Sequence, residues 1–121
     1  METLIKGSEE DFVEFLIDHV KSEDAELAAK YPDDALRSMA RHGLRKAEGY
    51  DFTTASDQTA FVSLMFRIAP NFDAQPEIKA ILDEAHFTAD HRLERLRSPL
   101  VSDEVWEKAL NGRDEAAWKS N

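Results

Sequence analysis

The spacing of hydrophobic residues is helical along most of the chain. The first predicted helix has an apolar face whose residues are three or four positions apart: Phe12, Phe15, Leu16 and Val20. Ser8 precedes them as a candidate N-cap. The alternation of apolar and polar residues that is typical of half-buried strands is scarcely seen. The sequence therefore predicts an all-α fold, a single compact bundle of five to seven helices.

Candidate caps and helix breakers divide this pattern into separate helices. Ser22 is a candidate cap for a short second helix, which must end before Pro32 because proline pushes the residue before it out of helical geometry. Thr54, with Asp57 three residues later, resembles a capping box. The predicted helices are 9–21, the short one before Pro32, 33–48 with Gly49 as its stop, 55–69, one that begins at Pro76, one capped by Thr88 that reaches Ser98, and one capped by Ser102 that reaches Asn111.

The predicted helix over 55–69 is apolar nearly all round, which is typical of a helix in the middle of a core. The residues expected at that centre are Phe61, Leu64, Met65 and Ile68. We expect Trp106 to cover the core, whereas Trp118 either packs on it when the tail docks or lies at an interface with a partner. No repeat, linker or low-complexity segment interrupts the pattern, so the chain is predicted to be one domain, 1–121.

The composition narrows the chemistry that the chain supports. Of its 121 residues, 42% are hydrophobic, which is enough to bury a modest core. The chain has no cysteine, which excludes disulfides, thiolate zinc sites, iron–sulfur clusters and cysteine nucleophiles. Nucleic acid is not an expected partner, because phosphate binding requires a basic face and the net charge is −10. A protein with a basic surface is a better expected partner for this acidic chain.

No targeting or membrane segment is predicted. Acidic residues interrupt the apolar stretches near the amino terminus, and no basic region precedes a continuous apolar run as it does in a signal peptide. The longest apolar stretch, around Phe61 to Ile68, is much shorter than the roughly 18 residues that a membrane-spanning helix requires. We therefore expect a soluble cytoplasmic protein with no membrane partner.

One literal motif match lacks the surroundings that its chemistry requires. The residues Asp83-Glu84-Ala85-His86 spell the acidic box of helicase-type ATPases. ATP hydrolysis also requires a phosphate-binding loop of the type G-x-x-x-x-G-K-[ST], and the four glycines of the chain form no such loop. We expect an exposed acidic helix end instead.

Other signatures of enzymes and cofactor sites are also missing. His86, Asp90 and His91 could be drawn as metal ligands, but the two histidines are five residues apart across a predicted loop, whereas helical ligands are spaced by three or four. No G-x-S-x-G nucleophile elbow is present. We therefore expect no catalytic residues, no metal and no cofactor, with a small enzyme that lacks a recognisable motif as the remaining alternative.

The charge pattern singles out a stripe of arginines. Arg37, Arg41 and Arg45 are four residues apart on the third predicted helix and so share one face, with Lys46 alongside. This face could bind an acidic partner, since guanidinium groups suit carboxylates, and the acidic first helix could bind a basic one. The alternative is pairing with acidic residues within the molecule. The candidate partner-binding residues are Arg37, Arg41, Arg45, Lys46 and Trp118.

Three segments of the chain resemble a small helical domain that is associated with bacterial type VI secretion gene clusters. Similar sequences there read G-[IL]-x-x-A-x-x-Y, F-V-x-L-M-F and P-x-F-D-x-x-P-x-I. The corresponding segments of this chain are Gly43–Tyr50, Phe61–Phe66 and Pro70–Ile78. The resemblance spans about residues 36–96, and it departs from the pattern at Asp51 and Ala69, where glycine is usual.

The resemblance implies a non-catalytic protein that binds another protein. Similar sequences occur alone and at the carboxy-terminal end of adaptors that load toxic effectors onto the secreted spike. The implied role is an effector adaptor or chaperone, or an accessory component, and the implied partner is an effector, a toxin or a spike component. An immunity protein that neutralises a toxin by covering its active site is the alternative. The oligomeric state and the binding face do not follow from the sequence.

Overall fold

Seven α-helices joined by short turns form the part of the chain that the structure describes. This structure, a computed structural model, describes residues 2–118, with side chains from residue 9 onward. The helices are α1 (Glu2–Glu23), α2 (Ala25–Ala29), α3 (Asp33–Gly49), α4 (Ala55–Arg67), α5 (Pro76–Leu82), α6 (Ala89–Arg97) and α7 (Asp103–Asn111). Two 3-10 turns, Phe72–Ala74 and Glu115–Trp118, complete these residues, which include no strand. The predicted all-α fold is confirmed, and none of the described helices is long and apolar enough to cross a membrane.

Hydroxyl side chains begin three of the helices, as predicted. The side-chain oxygens of Thr54, Thr88 and Ser102 each accept a hydrogen bond from the backbone N–H three residues later. In α2 the cap is Asp24 and not the predicted Ser22, because Asp24 Oδ1 accepts a hydrogen bond of 3.1 Å from a backbone N–H of the first turn.

The first helix is longer than predicted. α1 begins at Glu2 and ends at Glu23, so Ser8 lies inside the helix and the predicted span of 9–21 is too short at both ends. A serine followed by acidic residues resembles a cap in sequence, but such residues are tolerated inside a helix whose backbone hydrogen bonds continue through them.

The turn after α3 depends on one left-handed residue. α3 includes Gly49, the predicted stop, and Gly49 itself has no positive φ. Asp51 instead adopts a φ of 66°. The N–H of Asp51 donates to Glu48 O at 2.9 Å, and the N–H of Phe52 donates to Ala47 O at 3.0 Å. These bonds form a Schellman motif, which satisfies the last carbonyls of the helix and directs Phe52 into the core.

The central helix is α4, which contacts α1, α3 and α6. Phe61 and Met65 are fully buried, and the ring centroids of Phe61 and Phe72 are 5.2 Å apart. Leu64 and Ile68 are only partly buried. The prediction that they lie at the centre with Phe61 and Met65 is therefore wrong, because their side of α4 borders an open groove.

The segment after α7 packs onto one end of the bundle. Trp118 is 7% exposed, and its ring centroid lies 4.8 Å from that of Phe66. Arg113 Nη1 donates to the carbonyls of Phe66 and Ile68 at 3.2 and 3.0 Å, where α4 ends at Arg67, two residues before the predicted end. The tail thus docks as far as Trp118, which is a core residue and not an exposed anchor.

Candidate partner-binding groove

The arginine stripe of α3 faces the acidic side of α1. Arg37 Nε lies 2.5 Å from Glu14 Oε2, and Arg45 Nη1 lies 2.8 Å from Glu9 Oε1. Hydrogen bonds from these guanidinium groups lower the pKa of both glutamates. The two charged surfaces that were predicted to bind separate partners therefore pair with each other.

Little of the stripe is left for a partner. Arg37 also pairs with Asp34 at 2.9 Å, and Arg45 also pairs with Glu48 at 3.3 Å. Arg41 is exposed and forms no ion pair or hydrogen bond with any side chain that the structure describes. The intramolecular alternative therefore accounts for Arg37 and Arg45, and Arg41 has no ion-pair partner among the side chains that the structure describes.

Lys46, the fourth basic residue of this face, holds the loop that follows α4. Its Nζ lies 2.6 Å from Asp73 Oδ1 and donates to the Pro70 carbonyl at 3.0 Å. Tyr50 donates its hydroxyl to Asp73 Oδ2 at 2.7 Å, and Asp73 is only 7% exposed. Burial and then this hydrogen bond raise the pKa of Tyr50. Lys46, Tyr50 and Asp73 thus hold α3 against this loop.

The segment Asp83–His86 forms the turn between α5 and α6. It follows a helix and not a buried strand, so it has the surroundings of an acidic helix end. Glu84 accepts hydrogen bonds from Arg95 Nε and Nη2 at 2.7 and 2.9 Å, a bidentate pair that occupies the carboxylate. Within the described part of the chain, no group of three or more His, Asp or Glu side chains is arranged to hold a metal ion.

The outer side of α4 forms the floor of an open groove with a volume of about 490 Å³, the α4 groove. Three successive turns of α4 each contribute two lining residues. These are Thr59 and Ala60, Ser63 and Leu64, and Arg67 and Ile68. Helices α1, α6 and α7 border the groove. Their lining residues are His19, Glu23, Leu96, Arg97 and Trp106.

The α4 groove combines apolar surface with cationic groups. Leu64, Ile68 and Trp106 are partly buried, so each exposes part of its apolar surface in the groove. Arg67 and Arg97 are exposed, and neither forms an ion pair or hydrogen bond with another described residue. In a chain with a net charge of −10, two groove arginines without an ion-pair partner among the described residues are a local exception.

Exposed apolar side chains lie next to residues of the groove. Phe15 is 53% exposed, and its ring stacks on His19 with centroids 6.0 Å apart. Leu110 is 47% exposed and lies one helical turn beyond Trp106 on α7. Single exposed apolar residues are common on proteins. Next to a groove, however, exposed apolar side chains add apolar surface that a protein partner can cover.

A carboxyl pair lies beside the α4 groove, between α4 and α6. A smaller cavity of about 190 Å³ shares Ala60 and Arg97 with the groove, and Asp57 and Asp90 line it. Asp57 is only 5% exposed, and its burial, followed by a hydrogen bond with the Asp90 carboxyl, raises its pKa. Asp57 therefore takes up a proton more readily than an exposed aspartate does.

The sequence did not identify Arg67 and Arg97 as site residues. Each lies in the last turn of a helix, where basic residues are common because they complement the helix dipole. One signal was available. Thr59 and Ser63 are polar positions within an otherwise apolar helix, and both line the α4 groove.

Comparisons with known proteins identify no relative of this chain. The resemblance to the type VI secretion domain therefore depends on the three sequence segments alone. Comparison with models of known protein families, with curated proteins and with solved structures finds no match to this chain.

Proposed function

We propose that this chain is a non-catalytic protein-binding domain, an adaptor that holds a type VI secretion effector in the α4 groove. The observation that carries the proposal is the presence of Arg67 and Arg97, without acidic partners among the described residues, in a groove with apolar surface. The resemblance of residues 36–96 to a domain of type VI secretion gene clusters supplies the class of partner.

The α4 groove suits a protein better than a small molecule. It is open along three turns of α4, whereas sites for small ligands enclose most of the ligand surface. Tryptophan and arginine are enriched at the hot spots of protein interfaces, and Trp106, Arg67 and Arg97 provide both residue types. The arginines also provide charge complementarity to an acidic partner.

Affinity capture from the native bacterium tests this proposal. The tagged wild-type chain is compared with the double variant Arg67→Glu/Arg97→Glu and with the control variant Arg41→Glu. Arg41 is a matched control because it is also exposed and unpaired among the described residues, but it lies on α3, outside the groove. We expect the double variant to bind the partner at least about ten-fold more weakly, a loss of about 1.4 kcal/mol, and Arg41→Glu to bind it normally.

The protected region of the captured partner identifies the role. Protection of an effector's leading region or of a spike component supports the adaptor. Protection of a toxic domain whose activity is lost on binding would make the chain an immunity protein instead. If Arg41→Glu fails to capture the partner while the double variant still captures it, binding in the groove would be contradicted and the arginine stripe would be favoured. Circular dichroism of each variant verifies that the helices are intact.

A further inference from the structure

We infer that the occupant of the α4 groove is an amphipathic α-helix of the partner protein with acidic residues beside its apolar face. This inference rests on the proposed function and adds the conformation and charge of the bound segment. It follows from three features of the groove: its direction along α4, its helical walls and its arginines.

The groove follows the axis of α4. Its lining residues on this helix extend from Thr59 to Ile68, a length of about 13 Å at a rise of 1.5 Å per residue. Because they occur in pairs on successive turns, the gaps between pairs recur at intervals of about 5.4 Å. The side chains of a second helix recur at the same interval and pack into such gaps. The spacing of the floor therefore matches a helix.

An extended segment would find few partners for its backbone in this groove. A bound strand requires a sheet edge, or a similar row of groups, for its N–H and C=O groups. The floor and borders of the groove are helices, whose backbone groups are bonded internally. The hydroxyl of Thr59 already donates to the Ala55 carbonyl at 2.7 Å. A helix satisfies its own backbone and enters the groove without unsatisfied groups.

The arginines determine the charge of the occupant. Arg67 and Arg97 lack acidic partners in the described part of the chain, whereas Glu23, the acidic lining residue, pairs with His19 at 3.0 Å. The net charge of −10 repels an acidic partner, but at physiological ionic strength that repulsion is screened over about 8 Å. At contact, the guanidinium groups form charge-assisted hydrogen bonds with carboxylates, so the arginines favour acidic side chains locally.

Selection from a displayed library of helical peptides tests this inference. The peptides have about five turns and randomised surface positions, and the baits are wild type, Arg67→Glu/Arg97→Glu and Arg41→Glu. We expect wild type and Arg41→Glu to enrich apolar residues at i, i+3, i+4 and i+7 with Asp or Glu beside them. The double variant should bind these peptides at least about ten-fold more weakly and should enrich Lys and Arg instead.

Proline in the middle of each selected peptide then tests the bound conformation. Binding should be lost, because proline breaks a helix. Peptides that tolerate proline, that lack acidic enrichment or that are not enriched at all would overturn the inference. The proposed function would survive those results if capture of the native partner still required Arg67 and Arg97, and it would fail if capture did not require them.

Discussion

At the residue scale, Asp51 shows how one backbone conformation determines a turn. Its φ of 66° lies in the left-handed region, which costs about 1–2 kcal/mol for a residue with a Cβ and less for aspartate or asparagine. Glycine is usual at this position in the sequences that the chain resembles, and the observed φ explains why. Ala69, the other position where glycine is usual, has no positive φ, so glycine is not required there.

Substitutions of Asp51 should therefore change stability in the order of their tolerance for this conformation. Asp51→Gly relieves the strain but increases the entropy of the unfolded chain, so we expect a gain of only about 0.5 kcal/mol in the free energy of unfolding. Asp51→Val should lose about 1–2 kcal/mol. Urea denaturation measures both, and a valine variant as stable as wild type would contradict the left-handed turn.

At the element scale, the packing of α3 on α4 depends on a close approach at Gly43. A Cβ at this position would lie 3.1 Å from Val62 Cγ2 and 3.3 Å from Met65 Sδ. Gly49, at the end of the same helix, has no atom within 4 Å of the corresponding point. The first glycine of the sequence pattern thus serves helix packing, and Gly49 leaves room for a side chain.

The two glycines should respond differently to the same substitution. Gly43→Ala should lower the free energy of unfolding by about 1 kcal/mol, because overpacking costs about 1–3 kcal/mol and the gain in helix propensity is about 1 kcal/mol. Gly49→Ala should raise it by up to about 1 kcal/mol, since only the propensity changes. Thermal melts compare the two variants. Equal effects would show that α3 and α4 do not meet closely at Gly43.

At the scale of the whole molecule, buried polar groups connect helices that are far apart in sequence. Arg92 is 6% exposed, donates to the Leu82 carbonyl at 2.8 Å and lies 4.9 Å from the ring centroid of Phe52. Asp57 and Asp90 connect the first turns of α4 and α6. The raised pKa of Asp57 makes the stability of the bundle depend on pH as well as on apolar packing.

Asp57→Asn should make the stability of the chain less sensitive to pH. Because the pKa of Asp57 is raised on folding, the folded chain binds more protons than the unfolded chain above the ordinary aspartate value of about 3.9. The contribution of this group is therefore complete below that value and is lost as the pH rises. From about pH 4 to neutral, the stability of wild type should therefore fall relative to that of Asp57→Asn.

Urea denaturation across this pH range measures the difference. Asp18→Asn is the control, because it changes the formal charge equally at an exposed position that forms no ion pair or hydrogen bond with another described residue. Its stability should follow that of wild type in parallel. A parallel course for Asp57→Asn as well would contradict the raised pKa of Asp57.

The class of fold and most of the helices follow from the amino-acid sequence alone. A helix cap involves residues only three positions apart, as at Thr54, Thr88 and Ser102. The spacing of apolar positions extends over one or two turns. Because both features are local, they can be recognised in the sequence. The predicted helix ends were wrong where the same local sequence fits two different positions in a helix. Ser8 resembles a cap but lies inside a helix, and Gly49 resembles the left-handed residue that ends a helix, a role that Asp51 takes two residues later.

Which charged and aromatic residues stay exposed for a partner depends on how the helices pack together. Arg45 meets Glu9, 36 residues away, and Trp118 is buried against Phe66. Arg67, which no local pattern distinguishes, instead lies open in a groove that four helices form. The physical reason is that helix formation depends on near neighbours, whereas burial and ion pairing depend on the surfaces that folding brings together.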